Sequence, residues 1–272
     1  MQVNLGGIVH LSTVDWKGLS SMVVFLRGCP LRCPHCHNRE LQKGENLVEL
    51  YTIINEIAKV KTMGCPLGSG QINLEEAYKR LAAIPSVNAV ILSGGEPLAQ
   101  VDQAIALAHA AKGLGLKVGL ETCGYYPERL SRLLKNRLVE NRLIDKVFLD
   151  IKAALRDPEY EKATGIADVA PRVLESLRLA MNSEVPFEVR TAVFPEMPLS
   201  TDLIKIAKTL IELKKEYPKS NMDSMVLHQG RPMDREFEPV QMERIRALSR
   251  SVNGLVDIIV RDTTRSNLAF NQ

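Results

Sequence analysis

Val87-Asn-Ala-Val-Ile-Leu-Ser-Gly-Gly-Glu-Pro97 is an apolar run that stops at two glycines, an acid and a proline. The run Val87–Leu92 reads as a strand covered on both faces, where polar alternation is lost. Beyond it Val101, Ile105 and Ala108 fall on one helical face, and a second strand-like run follows at Leu116–Glu121. Together these make one βα unit. Working outward, the same kind of run occurs earlier at Met22–Leu26 and later at Lys146–Asp150, Phe187–Val193, Met225–His228 and Val256–Val260. Helical patterns separate them: Leu130, Leu133, Leu134 and Leu138 after Pro127, then Val173, Leu174 and Leu177, then Leu203, Ile206, Ala207 and Leu210.

After the first strand, strand starts recur roughly every 30 to 40 residues, the length of a βα unit. Repeated units imply a parallel sheet with right-handed crossovers, either an open doubly wound sheet or a complete or partial barrel. The first strand is not followed by Gly-x-Gly-x-x-Gly, which argues against a dinucleotide-binding sheet. With no linker or low-complexity tract, residues 1–272 read as a single domain. The longest interval precedes Val87. It contains Cys65-Pro-Leu-Gly-Ser-Gly, is expected to hold an irregular insertion over residues 60–73, and offers Asn73 with Glu76 as a capped helix start.

Charge excludes several classes. With 35 basic against 32 acidic residues, a net charge of +3 is too balanced to favour nucleic acid or a membrane surface. No apolar run is long enough to span a bilayer and no signal segment opens the chain, so a cytoplasmic location is expected. Five cysteines, three of them within eight residues, do not suit a secreted disulfide framework.

Those three lie in Cys29-Pro-Leu-Arg-Cys33-Pro-His-Cys36, inside a loop spanning residues 27–39. Thiolates this close can converge on one metal centre, and three of them leave a coordination position open, where a closed structural site uses four. A zinc site completed by His35 or His37 is the alternative. Cys65 and Cys123 read as bland thiols, Cys123 as a buried apolar residue.

The remaining unusual residues share one position in the βα scheme. Ser93-Gly94-Gly95-Glu96-Pro97 follows the second strand, and Glu121-Thr122-Cys123-Gly124 follows the third. Asp150-Ile151-Lys152 ends the fourth, Arg190 lies in the fifth, and His228 ends the sixth. Reactive groups of parallel α/β folds collect at the carboxyl ends of the strands. Asp150 and Lys152 alternate about Ile151, so both charges point to one side, with an internal ion pair to Arg190 as the structural alternative.

With these positions laid out, the chain resembles the radical S-adenosylmethionine superfamily, and within it the activating proteins of glycyl radical enzymes, especially the anaerobic ribonucleotide reductase branch. The resemblance rests on Cys29-x-x-x-Cys33-x-x-Cys36-His37-Asn38, Ser93–Pro97, Asp150-Ile-Lys152, Tyr160-x-x-x-Thr164-Gly165 and Arg190-Thr-Ala-Val193. It implies an α/β fold of the partial (β/α)6 TIM-barrel type. It implies a [4Fe–4S] cluster on Cys29, Cys33 and Cys36, with one iron left for S-adenosylmethionine. Gly94, Gly95 and Glu96 would hold the methionine end, and Glu121, Asp150, Lys152 and Arg190 the rest of the cofactor seat. His228 would lie near the adenosine. His35 replaces the family's usual aromatic residue and would face the adenine.

The implied activity is reductive cleavage of S-adenosylmethionine to a 5′-deoxyadenosyl radical, which generates a glycyl radical on a partner. That partner is expected to be anaerobic ribonucleotide reductase, with flavodoxin or ferredoxin as electron donor. No side chain is expected to act as a general acid or base. The rivals are a radical enzyme acting on another peptide or small molecule, and a non-enzymatic zinc or electron-transfer protein.

Overall fold

A computed structural model describes residues 1–62, 87–138, 141–230 and 239–261. Every strand-like run of the sequence is a strand, with shifted ends. They are β2 (Ser21–Leu26), β4 (Ala89–Gly94), β5 (Lys117–Thr122), β8 (Lys146–Asp150), β9 (Phe187–Val193), β10 (Met222–Gln229) and β11 (Ile258–Arg261). These seven pair in parallel in the order β2-β4-β5-β8-β9-β10-β11. Helices between them include α2 (Val101–Gly113), α3 (Pro127–Lys135), α4 (Glu159–Thr164), α5 (Ala170–Met181), α6 (Ser200–Glu216) and α7 (Met242–Arg250). The parallel sheet with outer helices is the expected partial TIM barrel. It is open: β11 forms one edge, and the other is continued by two antiparallel strands, β1 (Gln2–Ser12) and β3 (Leu47–Glu49).

Three elements lie outside the sequence expectations. β1 is one, and a short hairpin of β6 (Arg137–Leu138) and β7 (Asn141–Arg142) is another. The third is α1 (Leu50–Thr62), which buries Ile53, Ile57 and Val60 on one face. Since α1 reaches Thr62, the first three residues of the expected irregular insertion are helical. The rest of it, with Cys65, Asn73 and Glu76, lies outside the described residues.

Two apolar clusters hold the sheet. Outward-pointing side chains such as Val90, Leu120, Leu149 and Val189 meet Leu107, Leu133, Leu177 and Leu203 of the helices in the main core. Each fully buried aliphatic side chain contributes about 2 kcal/mol. The smaller cluster lines the concave side: Val23, Ala89, Ile91 and Phe148, closed by Trp16. Because β1 runs antiparallel to β2, the loop joining them sits where the parallel strands begin. Trp16, from that loop, meets Phe148 edge-on at 5.5 Å and is 8% exposed. The chain's single tryptophan therefore stops the amino-terminal mouth of the barrel.

Local chemistry agrees with the elements. α3 begins with Pro127 and Glu128 and ends with Arg132 and Lys135, matching the helix dipole at both ends. α4 stops at Gly165, which takes the left-handed conformation (φ 68°).

Candidate active site

The cysteine loop leaves β2 over the carboxyl rim of the sheet. Gly94, at the end of β4, pairs with Leu26 at φ 129°, and a β-carbon on it would fall on the Leu26 backbone. On Gly95 a β-carbon would stand 2.6 Å from the Gly28 carbonyl oxygen. The amides of Gly95 and Glu96 donate to the carbonyls of Leu26 and Gly28 at 2.9 Å each. Two residues without side chains thus lay the glycine-rich segment directly against the backbone that enters the cysteine loop. From the other side, the amide of Arg32 donates to the Thr164 carbonyl at 2.8 Å, and the Thr164 hydroxyl donates to the Tyr160 carbonyl at 2.8 Å. The Tyr160-x-x-x-Thr164-Gly165 motif is a clamp on the loop.

Cys29, Cys33 and Cys36 are all partly exposed. Burial pushes the Cys33 thiol up to about 11, opposed by the Lys152 ammonium. Burial would lower the Lys152 amine, yet Asp150 and the Cys33 and Cys123 thiols hold it well above its ordinary value. Lys152 is therefore a fixed cation beside the thiols, which favours thiolate over thiol. Its Nζ lies 3.2 Å from Asp150 Oδ2, with Asp150 44% exposed, so both charges do project to one side. Among the described residues, no three His, Cys, Asp or Glu side chains approach closely enough to ligate one metal ion. Ligands of a single tetrahedral zinc stand about 3.8 Å apart, given bonds of about 2.3 Å. Cysteines holding separate irons of one cluster stand farther apart, so this donor set suits a cluster and argues against the zinc site with His35 or His37.

The carboxylates of the seat differ sharply. Glu96 is fully buried and turned inward. Its oxygens accept from the amides of Leu98 (3.0 Å) and Cys123 (2.7 Å) and from the Thr122 hydroxyl (2.9 and 3.0 Å). Burial raises its carboxyl above the usual range, and those bonds oppose the rise. Glu121 accepts from Ser93 Oγ at 2.6 Å and pairs with Arg190.

Arg190 is the centre of a buried charge network inside the barrel. Besides Glu121 it binds Glu188 through Nε at 2.8 Å and donates to the Asp15 carbonyl at 2.6 Å. Glu188 also meets Arg261 at 2.9 Å and Lys146 at 3.1 Å. Burial opposes ionisation of Glu188, but Arg190, Arg261 and Lys146 hold it below the usual carboxylate range. The expected ion pair of Arg190 with Asp150 is replaced by these contacts, although the two residues are register partners.

His228 faces the same rim. Burial lowers it to about 4, with Asp150 raising it and Arg190, His37 and Lys152 lowering it. His35 stacks on Phe194, which follows β9, with centroids 4.7 Å apart at 24°. The seat residues therefore gather at one end of the barrel. Glu96 lies beneath it as a pin, and the side chains of Glu121 and Arg190 are committed to one another.

The sequence reading missed Phe194, Trp16 and the polar role of Cys123. Cys123 is buried, as expected, yet its thiol hydrogen-bonds to those of Cys29 and to Glu96. Its position directly after a strand end was the available signal.

The model of the Radical SAM superfamily matches residues 23–210, which spans the cysteine loop, the glycine-rich segment, Asp150, Lys152 and Arg190. The chain belongs to the radical SAM superfamily. As a superfamily enzyme it uses a [4Fe–4S] cluster and S-adenosylmethionine. A Methanocaldococcus jannaschii relative, provisionally named a glycyl-radical enzyme activating enzyme, is 28% identical over 96% of each chain. The pyruvate formate-lyase-activating enzyme of Listeria monocytogenes is 29% identical over 70% of this chain and 69% of its own. A solved structure of TYW1 with a lysine-pyruvate adduct has a TM-score of 0.57 at 15% identity, covering 87% of this chain and 75% of that one, and shares the fold. No described helix is long and apolar enough to cross a membrane.

Proposed function

We propose that this radical SAM enzyme is an activase that leaves a glycyl radical on a partner enzyme. The observation that carries the reading is the three-cysteine loop, laid against Gly94 and Gly95 and facing Lys152 and Asp150. The match to the M. jannaschii relative along nearly the full length of both chains supports the activase assignment. Bound together, a [4Fe–4S] cluster and S-adenosylmethionine supply a one-electron reductive cleavage to methionine and a 5′-deoxyadenosyl radical, able to take an α-hydrogen from glycine.

The chain's own part is holding, orienting and sealing. Cys29, Cys33 and Cys36 hold the cluster and leave one iron for the cofactor. The bare backbone at Gly94 and Gly95 receives the methionine end. Asp150 and Lys152 set opposite charges on the rim, His228 lies toward the adenosine, and His35 with Phe194 forms the adenine side. Glu96, Glu121 and Arg190 act by positioning these groups. Trp16 keeps water from the lower mouth. The partner reaches the rim from the open, carboxyl side. Its finer identity, anaerobic ribonucleotide reductase, and the donor, flavodoxin or ferredoxin, rest on family resemblance.

The test is anaerobic reconstitution with iron and sulfide, then addition of dithionite and S-adenosylmethionine. Formation of 5′-deoxyadenosine is expected, and with a glycyl radical protein present, a persistent organic radical on that protein by electron paramagnetic resonance. Cleavage with release of a modified small molecule, and no protein radical, would show a different radical enzyme.

A further inference from the structure

Cys123 is the first residue after β5, 7% exposed, and fixed at both ends. Its amide donates to Glu96 Oε2 at 2.7 Å. Its sulfur hydrogen-bonds to Cys29, the first cysteine of the loop. Glu96 is itself immobile, held by Leu98 and by the Thr122 hydroxyl, which in turn accepts from the Gly124 amide at 3.1 Å. Both Glu96 oxygens already accept from these groups and from the Cys123 amide. A cysteine that ligates iron is a thiolate and can only accept. The one proton between the two sulfurs then belongs to Cys123, and the Cys29 sulfur is the acceptor within its reach.

We propose that Cys123 is a positioning residue of the cluster, a thiol that donates a hydrogen bond to the ligand sulfur of Cys29 without binding iron. The inference rests on the cluster reading of Cys29, Cys33 and Cys36. A donor on a ligand sulfur stabilises the added negative charge of the reduced cluster, so its effect is to raise the reduction potential. It also ties the cluster to the glycine-rich segment, because Glu96 holds the Cys123 backbone and continues directly from Gly95.

The test compares wild type with Cys123→Ala, Cys123→Ser and Cys123→Val after anaerobic reconstitution. It measures iron and sulfide per chain, then the midpoint potential by titration followed with electron paramagnetic resonance. All four proteins should carry the same iron. The alanine and valine variants should shift together to a more negative potential, and the serine variant, which keeps an O–H donor, should lie between them and wild type. The valine variant keeps the apolar volume and serves if the alanine protein proves unstable. Loss of iron in the alanine and valine variants would make Cys123 a ligand and overturn the proposal. An unchanged potential at full iron content would also overturn it. Absence of a cluster from wild type would overturn the loop reading and this inference together, and is recognised because it shows before any substitution.

Discussion

The guanidinium of Arg190 lies 3.9 Å from the centroid of the Phe148 ring, stacked on it from within the barrel. The cation thus has an aromatic face beneath it and carboxylates at its edges, with Arg190 11% and Glu188 3% exposed. Removing the guanidinium would leave Glu121 and Glu188 without their shared partner. Arg190→Ala is expected to lower unfolding stability by about 3–5 kcal/mol, the range for one member of a buried pair. Arg190→Lys should recover little, because an ammonium cannot reproduce the planar fork or the stacking. Urea denaturation measures both. A loss below about 1 kcal/mol would place the network's weight elsewhere.

Gly95→Ala is expected to disturb the cysteine loop more than the barrel. Its β-carbon would meet the Gly28 carbonyl at 2.6 Å, and backbone cannot move aside as a side chain can. The variant should fold with most of its circular dichroism and take up several-fold less iron than wild type. Gly94→Ala adds an unfavourable φ and a clash with β2 itself, so it should fail at the level of folding. Full iron loading by Gly95→Ala would show that the loop tolerates displacement.

His228 sets a pH dependence whose direction follows from its surroundings. Its folded value of about 4 lies below its ordinary 6.5, so the unfolded chain binds more protons between these values. Its contribution is complete above about 6.5 and is lost as pH falls toward 4. Wild type should therefore lose stability between pH 7 and pH 5, and His228→Gln should lose less over that interval. Urea midpoints at the two pH values make the comparison. Equal losses would show that the drop arises from other groups.

Trp16→Ala should cost about 3–5 kcal/mol, as for a large aromatic removed from a packed site. Iron content after reconstitution should stay near wild type, because Trp16 closes the end of the barrel opposite the cysteines. Parallel loss of iron would indicate that floor and rim are mechanically coupled.

The parallel strands were legible because both faces are covered, which removes polar alternation and leaves runs such as Val147-Phe148-Leu149. β1 was not, since it carries Gly6, Gly7 and His10, stays half-exposed, and shifts register twice along β2. α1 was legible in principle from Ile53, Ile57 and Val60. The order of chemically unusual residues at strand ends correctly marked one rim. What strand order cannot show is where a side chain turns after leaving the backbone. Glu96 and Glu121 look alike in sequence, yet one caps a turn beneath the rim and the other pairs with Arg190. Trp16 carried no local pattern at all, because its partners come from other strands.

A barrel stopped by Trp16 at its lower mouth, with the Asp15 carbonyl tied to Arg190, works as a vessel with a single neck. Whatever binds deepest binds first and leaves last. A partner chain laid across the rim would cork the cofactor beneath it, so the spent products wait for the partner to withdraw. The pace of successive activations would then be set by how long two proteins stay together, a quantity governed by their contact surface and not by the cluster.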